Sequence, residues 1–373
     1  MTKKEIMEIR RRFRIDRNAI PRMRGCYVNS EKSVLATFNY VFGNIEEDER
    51  HKYLAIFSKT LSGKPGKNLI DIEFDTETVV NGIEHKLLMR LRDSKLEDSE
   101  AAEQFFQNII RSLSFDGNYL ILLIHETYDV PFRGKDNRIF QEGSEEVYNY
   151  ILCSVCPVNL SKPALSYFPD ENTFRDRVPD WQVSMPELGF LFPAFDERRA
   201  NIYNALYYIK NPEKKHEDFV QAVFSSEAPP TSEDKKAIFG EVLSDSLGEY
   251  FNYAVARHMQ ERIRERIELN KSIKDAEPLA VTGKDIGMIL YECGVPQSAV
   301  AEFEQEYEER IGEEIEASNL ISSKLVIKTE DVVISSKANL SDKFEVRTID
   351  GRKYLLIPIE DSIEVNGINV NAL

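Results

Sequence analysis

The chain has 373 residues, 42% hydrophobic and 30% charged, enough for two or three domains with real cores. No run approaches the ~18 apolar residues of a membrane span, and four cysteines are too few for a disulfide scaffold, so a cytoplasmic protein with reduced thiols and no membrane association is expected. A net charge of −16 argues against wholesale nucleic-acid binding.

The opening Met-Thr-Lys-Lys-Glu leads into an Arg-rich helix and not an apolar core, so no secretory signal is read there. Thr2 and Glu5 have the spacing of a capping box, and the helix they start is expected to reach Arg14 with Ile6, Ile9 and Phe13 on one face. Arg10, Arg11, Arg12, Arg14, Arg17, Arg22 and Arg24 fall within fifteen residues, opposed only by Asp16. Residues 25–42 read as a hairpin turning at Asn29 to Lys32. A helix over 46–62 with Tyr53, Leu54, Phe57 and Leu61 on its apolar stripe closes at Gly63, followed by an alternating strand at Leu69 to Phe74. Helices are expected at 86–92 and at 99–113, the second burying Phe105, Phe106, Ile109, Ile110 and Leu113.

The centre of the chain is a set of apolar runs, Tyr119–Ile124, Val147–Val158 and Ala164–Phe168, rich in branched and aromatic residues. All three read as buried strands in the middle of the main sheet. Strands at 181–184 and 188–195 follow, with Pro193 marking an edge, bulge or strand end, and 202–209 is expected to pair back on 188–195. Residues 213–224 read as helical, and Glu227-Ala-Pro-Pro-Thr-Ser-Glu as a linker. Helices then cover 232–247, 249–273, 283–292 and 297–311, with Gly248 between the first two, Thr282 and Asp285 capping the third, and an acidic run over 302–316. The C-terminus returns to strands, with hairpins at Asp350-Gly351 and Asn366-Gly367.

The fold class is α+β. A mostly antiparallel sheet with packed helices is expected over 1–225, a helical segment over 226–320 and a small β-hairpin unit over 321–373.

Few residues assemble into recognisable chemistry. Cys153-Ser-Val-Cys156 lies on a strand, where positions three apart point to opposite faces, so it reads as two core thiols and not as a redox or zinc motif. His125-Glu126-Thr-Tyr-Asp129 departs from the zincin pattern by carrying Asp129 in place of the second histidine, and on a strand it loses the helical spacing that pattern needs. Ser62-Gly-Lys-Pro-Gly-Lys67 has the composition of a phosphate loop but runs helix to strand, the reverse of a Walker loop. Asp196, Glu197, Arg198 and Arg199 form a charged turn at a strand end.

Phrases including Lys59-Thr-Leu-Ser-Gly63, Leu88-Met-Arg-Leu-Arg-Asp-Ser-Lys95, Cys156-Pro-Val-Asn-Leu-Ser-Lys-Pro163 and Gly189-Phe-Leu-Phe-Pro-Ala-Phe195 are jointly specific. Over nearly its whole length the chain resembles a bacterial family described as a domain of unknown function, number 4317 in that series. The resemblance implies a cytosolic bacterial protein and carries over no activity, cofactor or catalytic residue.

Three readings follow from the residues. The first is a non-catalytic interaction or regulatory protein that engages a large anionic partner, nucleic acid or ribonucleoprotein, through the seven arginines, with no metal and no cofactor. Internal pairing with the acidic 302–316 run competes with it. The second is a hydrolase or phosphoryl-transfer enzyme using His125, Asp129 and the Asp196–Arg199 cluster. The third is a homo-oligomer assembled through the long helix.

Overall fold

The computed structural model describes residues 1–133, 139–273, 278–312, 314–321, 324–328, 331–337, 344–358, 362–365 and 368–371. These form two compact units, Met1–Thr231 and Ser232–Leu373.

The first unit is an α+β fold built on one antiparallel sheet. Its helices are α1 (Lys3–Arg10), α2 (Glu47–Thr60), α3 (Thr76–Asn81), α4 (Ile83–Asp93), α5 (Ser99–Ser112) and α6 (Glu217–Phe224). Its strands are β1 (Arg22–Val28), β2 (Val34–Val41), β3 (Leu69–Glu73), β4 (Asn118–Arg133), β5 (Ile139–Leu160), β6 (Ala164–Phe168), β7 (Thr173–Arg177), β8 (Trp181–Val183), β9 (Leu188–Phe192), β10 (Ala194–Asp196), β11 (Arg199–Asn201) and β12 (Asn204–Ile209). The sheet order is β2-β1-β4-β5-β9-β12-β3, with β8 added to the end of β5.

The continuous apolar runs of β4 and β5 have a simple cause: helices cover both faces of the sheet. Along β4, Tyr119, Ile121 and Leu123 enter the core shared with α4, α5 and α6. Leu120, Leu122 and Ile124 enter the core under α1 and α2. The period of two that separates neighbours also separates the cysteines, Cys153 in the first core and Cys156 in the second. At Gly189 the layers meet closely: an added Cβ would lie 2.3 Å from the Cys153 carbonyl oxygen and 2.7 Å from Thr60 Cγ2. Beside it the Thr60 and Ser154 hydroxyls bond each other across 2.7 Å.

The structure corrects several expectations. Helix α1 ends at Arg10, not Arg14, because residues 12–17 turn in shorter steps, i to i−3 at Arg12, Phe13 and Arg17 and i to i−2 at Arg14, that bury Phe13 and swing Arg12 inward. The run 164–168 is a strand, but it lies outside the main sheet. Among the described residues it pairs only with β7, and Leu165 and Phe174 are 75% and 68% exposed. The strand expected over 188–195 divides at Pro193 into β9 and β10. Helix α6 starts at Glu217, four residues after the expected start. Helix α3 and strand β7 were not anticipated.

The second unit has its own core between α7 (Ser232–Leu247), α8 (Tyr253–Ser272), α9 (Gly283–Glu292) and α10 (Gln297–Arg310). Val255, Met259 and Ile263 form the buried stripe of α8, and the Thr282–Asp285 capping box is present. Helix α8 begins at Tyr253 and not at 249, since Gly248 adopts a left-handed conformation and Asn252 supplies the cap. Strands β13 (Ala280–Thr282) and β14 (Glu314–Glu316) pair beside this core. Three hairpins follow, β15 (Lys324–Lys328) with β16 (Val333–Lys337), β17 (Glu345–Ile349) with β18 (Arg352–Leu356), and β19 (Ser362–Val365) with β20 (Ile368–Asn371). Asn366-Gly367 and Glu313 lie outside the described residues. Among the described residues no helix is long and apolar enough to cross a membrane.

Candidate functional site

The structure distributes the seven arginines over three places. Arg22 and Arg24 belong to β1. Arg24 is buried and donates to the carbonyls of Leu96 and Glu97 at 2.7 and 3.2 Å and to Ser99 Oγ at 3.0 Å, and Arg22 reaches Asn39 Oδ1 at 3.0 Å. Arg10 and Arg14 turn toward α2. Arg10 donates to Ser58 Oγ, and Arg14 lies 3.3 Å from Asp16. Only Arg11, Arg12 and Arg17 line a common cleft.

That cleft, of about 510 Å³, is the candidate site. One wall is α1, whose Lys4, Met7, Glu8 and Arg11 recur at the three- and four-residue spacing that stacks side chains on one helical face. The end of β4 supplies Tyr128, Asp129 and Pro131, and the β10–β11 turn supplies Arg198. Five cations thus face two carboxylates, and the local balance opposes that of the whole chain.

Glu126 anchors the floor. It is fully buried, and its Oε1 accepts from Arg12 Nε at 3.2 Å, Arg12 Nη2 at 2.8 Å and the Ala19 backbone N–H at 2.8 Å. Its other oxygen accepts a short bond from the Tyr150 hydroxyl. A buried carboxylate with both oxygens hydrogen-bonded is stable where an unpaired one is not. The bonds tie residues 12–19 to the sheet. Arg12 also lies over the Tyr128 ring, 4.8 Å from its centroid.

Glu8 organises the opposite side. Its Oε1 accepts from the Tyr128 hydroxyl at 2.9 Å and lies 3.2 Å from Arg198 Nη2, which also donates to the Pro131 carbonyl at 2.9 Å. Burial, with the nearby Glu8 carboxylate, pushes the Tyr128 hydroxyl up to about 12, so it stays a donor at neutral pH. Arg198 Nε and Nη1 are buried and meet no acceptor.

The turn carrying Arg198 joins Asp196 to Arg199 through two left-handed residues, Glu197 at φ 46° and Arg198 at φ 63°. A two-residue hairpin turn with that backbone prefers Asn-Gly or Asp-Gly. Holding other residues there costs of order 1 kcal/mol each. The strain puts Arg198 into the cleft wall.

His125 does not join this cleft. It is fully buried between Arg22 of β1 and Ile151 of β5 in the register, and neither ring nitrogen has a hydrogen bond. Burial, with the cations Lys95 and Arg92 nearby, pushes it down to about 4. Asp129 and Arg198 share the cleft, whereas Asp196 bonds Asn201 and Arg199 pairs with Glu146. Among the described residues no group of three His, Cys, Asp or Glu side chains is placed to hold a metal ion.

The family model described as Domain of unknown function (DUF4317) matches residues 1–368. The chain belongs to the DUF4317 family. The match covers both units, so the cleft and the helical core of 232–310 lie within one family sequence. None of the curated proteins matches the chain.

Lys4, Glu8 and Tyr128 were not singled out from the sequence. The helical spacing of Lys4, Glu8 and Arg11 was the available signal for one wall. Nothing local in the sequence brings Arg198 beside Glu8.

Proposed function

We propose that this protein is a non-catalytic cytoplasmic interaction protein that engages nucleic acid, free or in a ribonucleoprotein, through the basic cleft of its first unit. The observation that carries this reading is Arg198. Its two buried guanidinium nitrogens with no acceptor, Nε and Nη1, beside Arg11 and Arg17, carry donors suited to a phosphate group. Arg12 serves a different role, since Glu126 already holds it and it builds the floor. The acidic remainder of the chain confines contact to this cleft.

The enzymatic alternative requires His125 to reach a ligand beside Asp129 and Arg198, and His125 does not line the cleft. The test of the interaction reading is the anisotropy of a labelled single-stranded oligoribonucleotide titrated with the full chain at low salt. Arg198→Gln, which removes the unpartnered donors, is expected to weaken binding by about tenfold or more, the scale of one charge-assisted contact. Asp129→Asn is expected to leave binding unchanged or strengthen it. A wild-type chain that does not bind at low salt overturns the reading.

A further inference from the structure

The exposed hairpin β6–β7 is an arm. Its neck is closed where the Ser161 N–H donates to the Asp180 carbonyl at 2.8 Å and the Asp180 N–H donates to Ser161 Oγ at 2.9 Å. Beyond the neck, none of the described side chains of residues 162–179 is buried. Yet one face of the arm is mostly apolar, with Asp176, opposite Leu165, as its charged member. Tyr167 stands opposite Phe174 in the register, their rings 5.2 Å apart, and Leu165 lies two residues along on the same face. At the arm's base Leu160 pairs with Trp181 and Val158 with Val183, which puts Leu160, Trp181 and Val183 on one side of the sheet's end, and these three are exposed as well.

Six exposed apolar side chains at one end of a chain are more than a monomer ordinarily shows. With roughly 200 Å² for each aromatic side chain when fully exposed, Tyr167, Phe174 and Trp181 alone expose roughly 350 Å², and Leu160, Leu165 and Val183 add to it. That reaches the roughly 300–600 Å² of the largest patch on a typical monomer, the size at which a patch is often functional, and is a large part of the ~800 Å² that each partner contributes to a stable interface.

We propose that the arm is an exchange device for a second copy of this chain. Leu165, Tyr167 and Phe174 of each copy cover Leu160, Trp181 and Val183 of the other about a twofold axis. The area is a large part of what a symmetric dimer needs, and each copy supplies both halves of the contact. Charge favours a copy over an anionic surface. Segment 161–180 carries three basic and four acidic residues, and Arg175 is already engaged by Glu171 and by the Phe168 ring. An arm of this balance neither attracts a phosphate backbone or an anionic membrane nor repels its twin. The dimer contact and the cleft respond oppositely to salt. Two chains of net charge −16 associate more tightly as salt screens their repulsion, whereas phosphate binding weakens.

Trp181 is the single tryptophan of the chain and lies in the proposed contact, so its emission reports the burial. Sedimentation velocity and Trp181 fluorescence are measured together on the full chain from ~1 to ~100 μM, the weak end of the range for interfaces of this size. The expected result is a doubling of mass accompanied by a blue shift of Trp181. Leu165→Arg with Phe174→Arg is expected to hold the chain monomeric with unshifted emission and unchanged circular dichroism. Tyr167→Ser, a milder change, is expected to weaken association if the double variant misfolds. A monomer at the highest concentration overturns the proposal. So does a dimer that leaves Trp181 emission unmoved, or one that survives the arm substitutions. A blue shift produced by lipid vesicles while the chain stays monomeric assigns the arm to a membrane surface and equally overturns it.

Discussion

Arg12 and Glu126 stand 114 residues apart and meet as a guanidinium holding one oxygen of a fully buried carboxylate, at 3.2 Å from Nε and 2.8 Å from Nη2. The pair joins the segment after α1 to the centre of the sheet, and it separates structural arginine from the arginines open to a ligand. Removing one partner of a buried ion pair leaves an uncompensated charge, at a cost of about 3–5 kcal/mol. Arg12 keeps some contact with solvent, so Arg12→Met is expected at the lower end, about 3 kcal/mol in urea unfolding. A double-mutant cycle with Glu126→Leu is expected to give a coupling of ~1 kcal/mol or more. Additive single effects would show that the pair is not a unit.

The buried histidines make stability depend on pH. His125 is pushed down to about 4, and burial also lowers His85 and His216. A group whose folded value lies below its unfolded value, ~6.5 for histidine, takes up its proton more readily in the unfolded chain. Its contribution is complete above ~6.5 and is lost as pH falls toward about 4. For His125 this amounts to about 3 kcal/mol. Chemical denaturation at steps across that window is expected to show the loss, and His125→Leu to flatten most of it. The lowered carboxyls Asp75, Asp98 and Asp285 act at more acidic pH. An unchanged profile in His125→Leu would contradict the assignment.

Burial raises every cysteine thiol, Cys26 to about 11 and Cys156 to about 12, with Cys153 raised as well. Cys293 is raised too but is only half-buried. Thiolate is the reactive form, so a thiol reagent at about pH 8 is expected to titrate Cys293 alone in the native chain and all four thiols in denaturant. About one equivalent of zinc in protein purified without chelator, lost on Cys153→Ser, would contradict the reading of Cys153 and Cys156 as core thiols.

The main sheet was legible because β4 and β5 bury both faces, and residues such as Leu120 and Ile121 then have to be apolar whichever way they point. Period two placed Cys153 and Cys156 in separate cores, and both capping boxes were readable from one pair of residues each. Ala164–Phe168 has the composition of a core strand and lies exposed, because composition does not say whether anything covers it. The arginine cluster was visible but its direction was not. Arg24 points into the fold and Arg12 onto a carboxylate more than a hundred residues away, which only the tertiary structure decides. Arg198 was visible only as part of a charged turn, since the left-handed conformation that aims it carries no glycine signal.

Under the proposed function the cleft, and not the whole arginine-rich segment, binds nucleic acid. The most direct measurement is the salt dependence of oligoribonucleotide binding in two charge-reversed chains. Arg11→Glu with Arg17→Glu reverses the cleft, and Arg10→Glu with Arg14→Glu reverses the side facing α2. All four positions are exposed, so stability is expected to stay within ~1 kcal/mol in both. The wild type is expected to bind with a slope of log affinity on log salt of about −2 to −3, for three or four phosphates neutralised on a single strand. The cleft pair abolishes binding and the α2-side pair weakens it only modestly. Equal losses in the two pairs, or a wild type that does not bind at low salt, would contradict it.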